Sequence, residues 1–364
     1  MPHILIVKCA ALGDVVRTSH LAAALAARFG AGLRLSFVTA PSAVPLLARN
    51  PHIHDLWTDF APARAFAFDR VFSLEEDQAI VAGVAGLRAG RITGVIPAAG
   101  GGLAYTPDSA GWFDMSLVSR HGCADAARLK RENRRSHSEI MAEMFEVGPV
   151  PFAFFGDPAL EASAREWRRS IPGPLVGINP FAGARWPSKA LRPDELRGLV
   201  AALLAAGRGD LRLALLGTGE DRRSNRALAA GLGDPRILVP DTDASVLDLA
   251  ATIGVLDYLV TSDSLALHLA LAQGVPFLAF FAPTSAAEID EGGIGVKLVS
   301  TAPDSGSYRP DADNASITAA RIMDLATAHR PALFAPPAPV PSALGEPAGD
   351  ARVVERGAVD HVLR

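Results

Sequence analysis

A strand-sized apolar run opens this chain and passes through a short turn into a helix, and the same pattern starts again about halfway along. The first copy is His3-Ile4-Leu5-Ile6-Val7-Lys8 followed by Ala10-Ala11-Leu12-Gly13-Asp14-Val15-Val16-Arg17-Thr18; the second begins at Leu175-Val176-Gly177-Ile178-Asn179. Strands that alternate with helices build parallel sheets covered on both faces. Between the two copies, Pro149–Pro174 holds five prolines, the composition of a connection. The reading is an α/β protein of two doubly wound halves with a cleft between them. The expected boundaries are 1–155 for the first domain, 156–173 for a linker with a helix over 160–170, 174–328 for the second domain and 329–364 for a Pro/Ala-rich tail without a core of its own.

Within the first half the pattern predicts a helix over 15–29, a strand over 33–39, a short helix over 43–49, a strand over 69–74, a helix over 77–88, a strand over 91–96 and helices over 109–119 and 124–145. Ala98–Gly102 reads as a hairpin or loop. The second half continues with helices over 193–206, 221–231, 246–253, 265–273 and 317–328, and strands over 211–216, 258–261 and 276–281.

Composition narrows the function classes. Of the 364 residues 49% are apolar, yet no apolar run nears the ~20 residues of a membrane span. The start of the chain enters a strand directly, which predicts no secretory leader. Cys9 and Cys123 are the only cysteines and lack a C-x-x-C spacing, as expected for a reducing cytoplasm and against a thiolate metal site. A net charge of −4 gives no reason to expect a nucleic-acid partner.

The first turn has one glycine, Gly13, and then a carboxylate, Asp14. A phosphate-binding turn would be glycine-rich, because backbone amides must approach the anion. Asp14 repels phosphate but can take a proton from a hydroxyl. It can also cap the helix, and both roles are open to it. The loop Asn179-Pro180-Phe181-Ala182-Gly183-Ala184-Arg185-Trp186-Pro187-Ser188-Lys189 reads either as a plain loop or as a diphosphate site built from amides and an ammonium. Gly217-Thr218-Gly219-Glu220-Asp221-Arg222 misses the third glycine of G-x-G-x-x-G, which speaks against a nicotinamide oxidoreductase and leaves room for a ribose or base. In Thr261-Ser262-Asp263-Ser264-Leu265-Ala266-Leu267-His268, Ser264 can cap a helix whose first amides then face an anion, with His268 as a neutral donor. The basic residues Arg120, His121, Arg128, Lys130, Arg131, Arg134 and Arg135 are either a solvated helix face or a surface for an anionic acceptor or membrane. No clustered metal-ligand spacing occurs, so no metal is expected.

Together these motifs resemble the family 9 glycosyltransferases, the heptosyltransferases of bacterial lipopolysaccharide core assembly. The likeness runs from residue 1 to about 328. It rests on the opening Ile-Leu-Ile-Val-Lys-x-x-Ala-Leu-Gly-Asp-Val-Val-Arg-Thr, the loop Asn179-Pro180 to Ser188-Lys189, and Asp263-Ser264 through His268-Leu269-Ala270, Gly274-Val275-Pro276 and Phe281-Ala282-Pro283-Thr284. The resemblance implies a GT-B architecture, two Rossmann-like domains facing across a cleft. It implies inverting, metal-independent transfer without a cofactor, from a nucleotide-diphosphate sugar, ADP-heptose in characterised members, to a cell-envelope glycan or glycolipid. By the same carry-over Asp14 is the general base. Asn179, Arg185, Ser188, Lys189, Thr218, Gly219, Glu220, Asp263, Ser264 and His268 bind the donor, with Lys189 against the diphosphate. Arg17, Trp112, Asp114, Ser116, Arg120 and Lys130 are candidates for the acceptor. The setting would be the cytoplasm, with peripheral contact at the inner membrane.

Two departures stand out. The family's Lys-Arg-Trp-Pro is here Lys189-Ala190-Leu191-Arg192, with Trp186-Pro187 ahead of the lysine; alignment on Trp-Pro would make Arg185 the nearest cation. Leu265-Ala266 replace the usual Gly-Pro, which puts the sugar's identity in question more than the fold. Keeping both Asp14 and Lys189 speaks against a non-catalytic nucleotide-sugar binder.

Overall fold

The computed structural model describes residues 1–183, 186–206 and 209–334. It contains two six-stranded sheets. The first is built from β1 (His3–Val7), β2 (Arg34–Val38), β3 (Asp55–Trp57), β4 (Ala67–Ser73), β5 (Arg88–Pro97) and β6 (Leu103–Tyr105), in the order β3-β2-β1-β4-β5-β6. All pairs are parallel except β5–β6, a hairpin closed by the Ala98–Gly102 turn. The second comprises β7 (Leu175–Asn179), β8 (Arg212–Leu215), β9 (Ile237–Leu238), β10 (Tyr258–Ser262), β11 (Phe277–Phe281) and β12 (Gly295–Val299). Its order β12-β11-β10-β7-β8-β9 is all parallel. Renumbered from its own first strand, it repeats the order of the first sheet: third, second, first, fourth, fifth, sixth. Each half is therefore a doubly wound Rossmann-like sheet. The order in which strands are added reverses between the first and fourth strands, and that switch point is where such sheets bind ligands.

Apolar clusters cover both faces of each sheet. Ile4 and Ile6 pack on one side of β1, and Leu5 and Val7 on the other. The clusters do not stop at the domain boundary. Val16 and Leu46 of the first domain pack into the cluster around Leu249, Ala266 and Leu267 of the second, so the two halves share an apolar contact. The helix Leu265–Ala272 has no polar face; every residue from Ala266 to Ala272 is buried, as a helix wedged between the second sheet and the first domain requires.

Several expected elements are corrected. The helix expected over 15–29 is two helices, Leu12–Ser19 and Leu21–Phe29. At the break, the Ser19 hydroxyl donates to the Val16 carbonyl at 2.7 Å, a back-bond that bends helices. The helix expected over 124–145 is divided into Gly122–Glu132 and His137–Phe145 by a reciprocal cap, in which Ser136 and Glu139 satisfy each other's backbone amides. The helix expected over 109–119 shrinks to Ala110–Phe113. Strands β3, β6, β9 and β12, the edge strands of the two sheets, were not among the expected strands. The segment 156–173 carries the helix Pro158–Arg169, tied to the second domain by Arg168, which donates to the Gly173 carbonyl and to Asp257, each at 2.8 Å. Residues 331–334 of the expected tail form a short helix whose Phe334 is buried against Tyr258; residues 335–364 lie outside the described residues. No helix among the described residues is long and apolar enough to cross a membrane.

Candidate active site

The main expected site residues, Asp14, Lys189, Asp263 and His268, lie at the switch points of the two sheets. At the end of β1 the chain turns through Cys9, Ala10 and Ala11 into the helix Leu12–Ser19. Asp14 is the third residue of that helix and does not cap it; the cap position is Ala11. Its carboxylate instead meets cations. Arg17 Nη2 is 2.9 Å from Oδ1 and Lys8 Nζ 3.8 Å from Oδ2. Burial pushes the Asp14 carboxyl up, but Arg17, Lys8 and His268 outweigh it and hold the group below the ordinary aspartate value. The side chain keeps one-third of its surface exposed, so it can reach a substrate.

The second domain contributes the loops after β7 and β10. Lys189 Nζ is 2.7 Å from Asp263 Oδ2 and donates to the Asp263 carbonyl at 3.0 Å. Thr284 donates to the same carboxylate oxygen at 2.6 Å. Burial raises the Asp263 carboxyl, yet Lys189 and His268 win and bring it to about 2. Ser264 occupies the cap position of the helix Leu265–Ala272, but its hydroxyl makes no capping bond. It accepts from Asn179 Nδ2 at 3.0 Å, so the first turn of that helix carries no side-chain cap. His268 is held down to about 4 by burial, with Arg17 adding to the effect, and is neutral at pH 7.

The two sets face each other. A methyl group on Gly13 would lie 2.6 Å from His268 Cδ2, so the absence of a side chain there lets the two helices close. Beside this contact Glu288, buried, accepts from Tyr308 Oη at 2.7 Å and lies 3.8 Å from both Arg17 and Lys130 of the first domain. Lys130 sits 3.5 Å above the Tyr308 ring, and Arg17 lies over Trp112 at 5.3 Å. Asp14 and Arg17 thus face Asp263 and His268, while Trp112 packs on Arg17 and Lys130 meets Glu288 and Tyr308.

Other expected residues go elsewhere. Asp114 and Arg120 pair with each other and with Tyr105; Ser116 bonds back to the Phe113 carbonyl. Asn179 is buried and spends its amide on Phe181, Thr261 and Ser264. Ser188 faces the Arg309 carbonyl. At Thr218-Gly219-Glu220 the Gly219 amide donates to Asp243 at 2.7 Å, and Arg222 holds that carboxylate; Glu220 is exposed. Arg185 lies outside the described residues. In the basic run, Arg128 pairs with Asp125 and Glu132, and Arg135 with Glu143, on an exposed face; Lys130 alone of the run turns to Glu288. Lys8, Glu75, Thr284, Glu288 and Tyr308 were not expected at the site. Lys8 stood in the opening motif and Thr284 at the end of the Phe281–Thr284 motif; Glu75, Glu288 and Tyr308 stood in none. Among the described residues no group of three or more His, Cys, Asp or Glu side chains is arranged to hold a metal ion.

Solved structures share this architecture. A family 9 glycosyltransferase from Veillonella parvula superposes with a TM-score of 0.63 at 15% identity, over 82% of this chain and 86% of that one. E. coli heptosyltransferase WaaC with ADP gives 0.60 at 15%, over 90% and 99%. The E. coli ADP-heptose lps heptosyltransferase II gives 0.62 at 16%, over 90% and 98%. At these identities the likeness is one of fold. No curated protein sequence matches the chain. Residues 156–302 match the model of glycosyltransferase family 9 (heptosyltransferase). That match covers the connecting helix and most of the second domain. The chain is a glycosyltransferase of the GT-B fold, and the family 9 match spans the loops that carry Lys189, Asp263 and His268.

Proposed function

We propose that this glycosyltransferase moves heptose from ADP-heptose to a hydroxyl of a cell-envelope glycan or glycolipid, inverting the anomeric centre without a metal. The observation that carries the reading is the facing of Asp14 and the Lys189–Asp263–His268 set across the Gly13–His268 contact. Asp14 would take the proton of the acceptor hydroxyl as its oxygen attacks. The diphosphate would leave on the opposite side, and a single in-line displacement inverts. An ammonium has three protons. Asp263 engages two of them on Lys189, which leaves one for a phosphate oxygen. The uncapped first turn of Leu265–Ala272 adds amides to the same anion site, charge stabilisation of the kind a metal would otherwise supply. Arg17, Trp112 and Lys130 line the acceptor side. The reading places the enzyme in the cytoplasm, working at the inner-membrane surface when the acceptor is a glycolipid, with the exposed basic face of residues 128–135 turned to it.

The test is thermal denaturation with ADP, UDP, GDP and dTDP, each alone and as its sugar conjugate. ADP at a hundredfold over its Kd stabilises the native state by about 2.7 kcal/mol. Asp14→Asn is expected to keep that shift and to lose transfer by about 10³-fold. A shift with UDP or GDP alone rejects the donor. An Asp14→Asn enzyme that still transfers rejects the base.

A further inference from the structure

The first turn of the N-terminal domain has an anion built into it. Glu75 follows β4, the strand beside β1, and is only 4% exposed. Its Oε1 accepts from the Cys9 amide at 2.6 Å and the Ala10 amide at 2.8 Å, and Lys8 Nζ lies 3.0 Å away. Successive backbone amides beside an ammonium form an anion cradle. In nucleotide-binding sheets the turn after the first strand gives that cradle to a phosphate. Here a carboxylate from the neighbouring strand end fills it.

Asp14 depends on this arrangement in two ways. The turn runs through Ala11, at φ 60°, a left-handed conformation uncommon for alanine, before it enters the helix that presents Asp14. The bonds from Cys9 and Ala10 to Glu75 hold the two residues before it. Lys8, meanwhile, reaches both carboxylates and sits closer to Glu75, at 3.0 Å, than to Asp14, at 3.8 Å. An ammonium aimed at Asp14 alone would stabilise its charged form and weaken it as a base.

We propose that Glu75 is a positioning residue for Asp14: it fixes the turn that presents the base and takes up the charge of Lys8, so that Asp14 remains able to accept a proton. The proposal rests on Asp14 acting as the base. The other charged and titratable groups facing Asp14 are Arg17 on its own helix and His268 and Asp263 from the second domain, with Lys130 and Glu288 further along the interface. Of these, Arg17 is shared with Glu288 and His268 is neutral at pH 7, so Lys8 is the cation that Glu75 governs directly.

Glu75→Gln keeps a carbonyl oxygen for the two amides and removes the charge. The full-length enzyme is assayed for ADP release from ADP-heptose with a deacylated lipopolysaccharide-core glycan as acceptor, alongside thermal denaturation with ADP. The expected result is a kcat about tenfold lower with KM for ADP-heptose within about twofold, and an unchanged ADP shift. Adding Lys8→Met to Glu75→Gln is expected to bring kcat back to within about threefold of the starting enzyme, because the uncompensated ammonium is gone. A role confined to stability would lower the melting temperature and would not be relieved by removing Lys8. If Glu75→Gln fails to fold, Glu75→Asp keeps the charge but withdraws it, and an intermediate loss relieved by Lys8→Met is expected. A Glu75→Gln kcat within twofold of the starting enzyme, or a loss that Lys8→Met leaves in place, overturns the proposal. An unsubstituted enzyme that ADP does not stabilise overturns the donor reading instead, and an active Asp14→Asn overturns the base.

Discussion

Two strand-to-helix turns meet across the domain interface, and they treat anions in opposite ways. The turn after β1 has its amides taken by Glu75, its ammonium Lys8 neutralised and a carboxylate, Asp14, presented beyond it. The turn after β10 has no side-chain cap on its helix, its carboxylate Asp263 drawn onto Lys189, and a neutral His268 one turn in. The sheets beneath them share one strand order. The difference therefore lies in which side chains neighbouring loops deliver, not in backbone topology. On the proposed function, one doubly wound turn is a platform for the base and the other is left open for the leaving group.

The contrast breaks most directly at Lys189. Lys189→Met should lower kcat/KM for donor turnover about 100-fold and remove most of the thermal shift with ADP. If ADP still stabilises the variant fully, the second turn is not the anion site. Next in size is an acid effect. His268 in the folded chain sits at about 4, below its unfolded value of about 6.5, so the unfolded chain binds the proton first. Stability from its burial is complete above that unfolded value and is lost as pH falls towards 4. At pH 5 the loss is about 2 kcal/mol. Unfolding of the native enzyme and of His268→Gln, followed from pH 8 to pH 5, should show a shallower decline in the variant; parallel declines would remove the histidine from the account. The smallest effect sharpens the contact between the turns. Gly13→Ala puts a methyl 2.6 Å from the His268 ring, an overpacking expected to cost about 1–2 kcal/mol in denaturant titration. His268→Ala in the same chain should recover most of that loss, and failure to do so would place the strain elsewhere.

Much of this arrangement was legible in the order of residues. The paired strand–turn–helix openings at His3 and Leu175 announced two sheets, and a lone carboxylate at Gly13-Asp14 marked the first turn as unlike a phosphate loop. Lys189, Asp263 and His268 stood in motifs at strand ends. What could not be read were the residues whose role exists only through distant contact. Glu75 lies in a plain acidic run, Glu75-Glu76-Asp77, and becomes a turn anchor because β4 pairs with β1. Glu288 and Tyr308 carry no motif and gain meaning by meeting Arg17 and Lys130 from the other domain. The break at Ser136 had a local signature, serine followed three residues later by Glu139, in a stretch from Lys130 to Glu139 that holds no apolar residue. Asp114 and Arg120 had the right chemistry for an acceptor but are spent on Tyr105.

Asn314 ties the Lys189 loop in place from far along the chain. Its side-chain amide donates to the Ser188 and Ala190 carbonyls at 3.1 and 2.9 Å, and its own carbonyl accepts from Arg192. The ammonium site is thus closed by a loop of more than a hundred residues. During synthesis the N-terminal sheet and strands β7 to β11 can all emerge before it is in place. A ribosome-bound chain arrested just short of residue 314 would hold the Asp14 turn formed with the Lys189 loop still unanchored, so the first turn of this chain matures before the Lys189 loop.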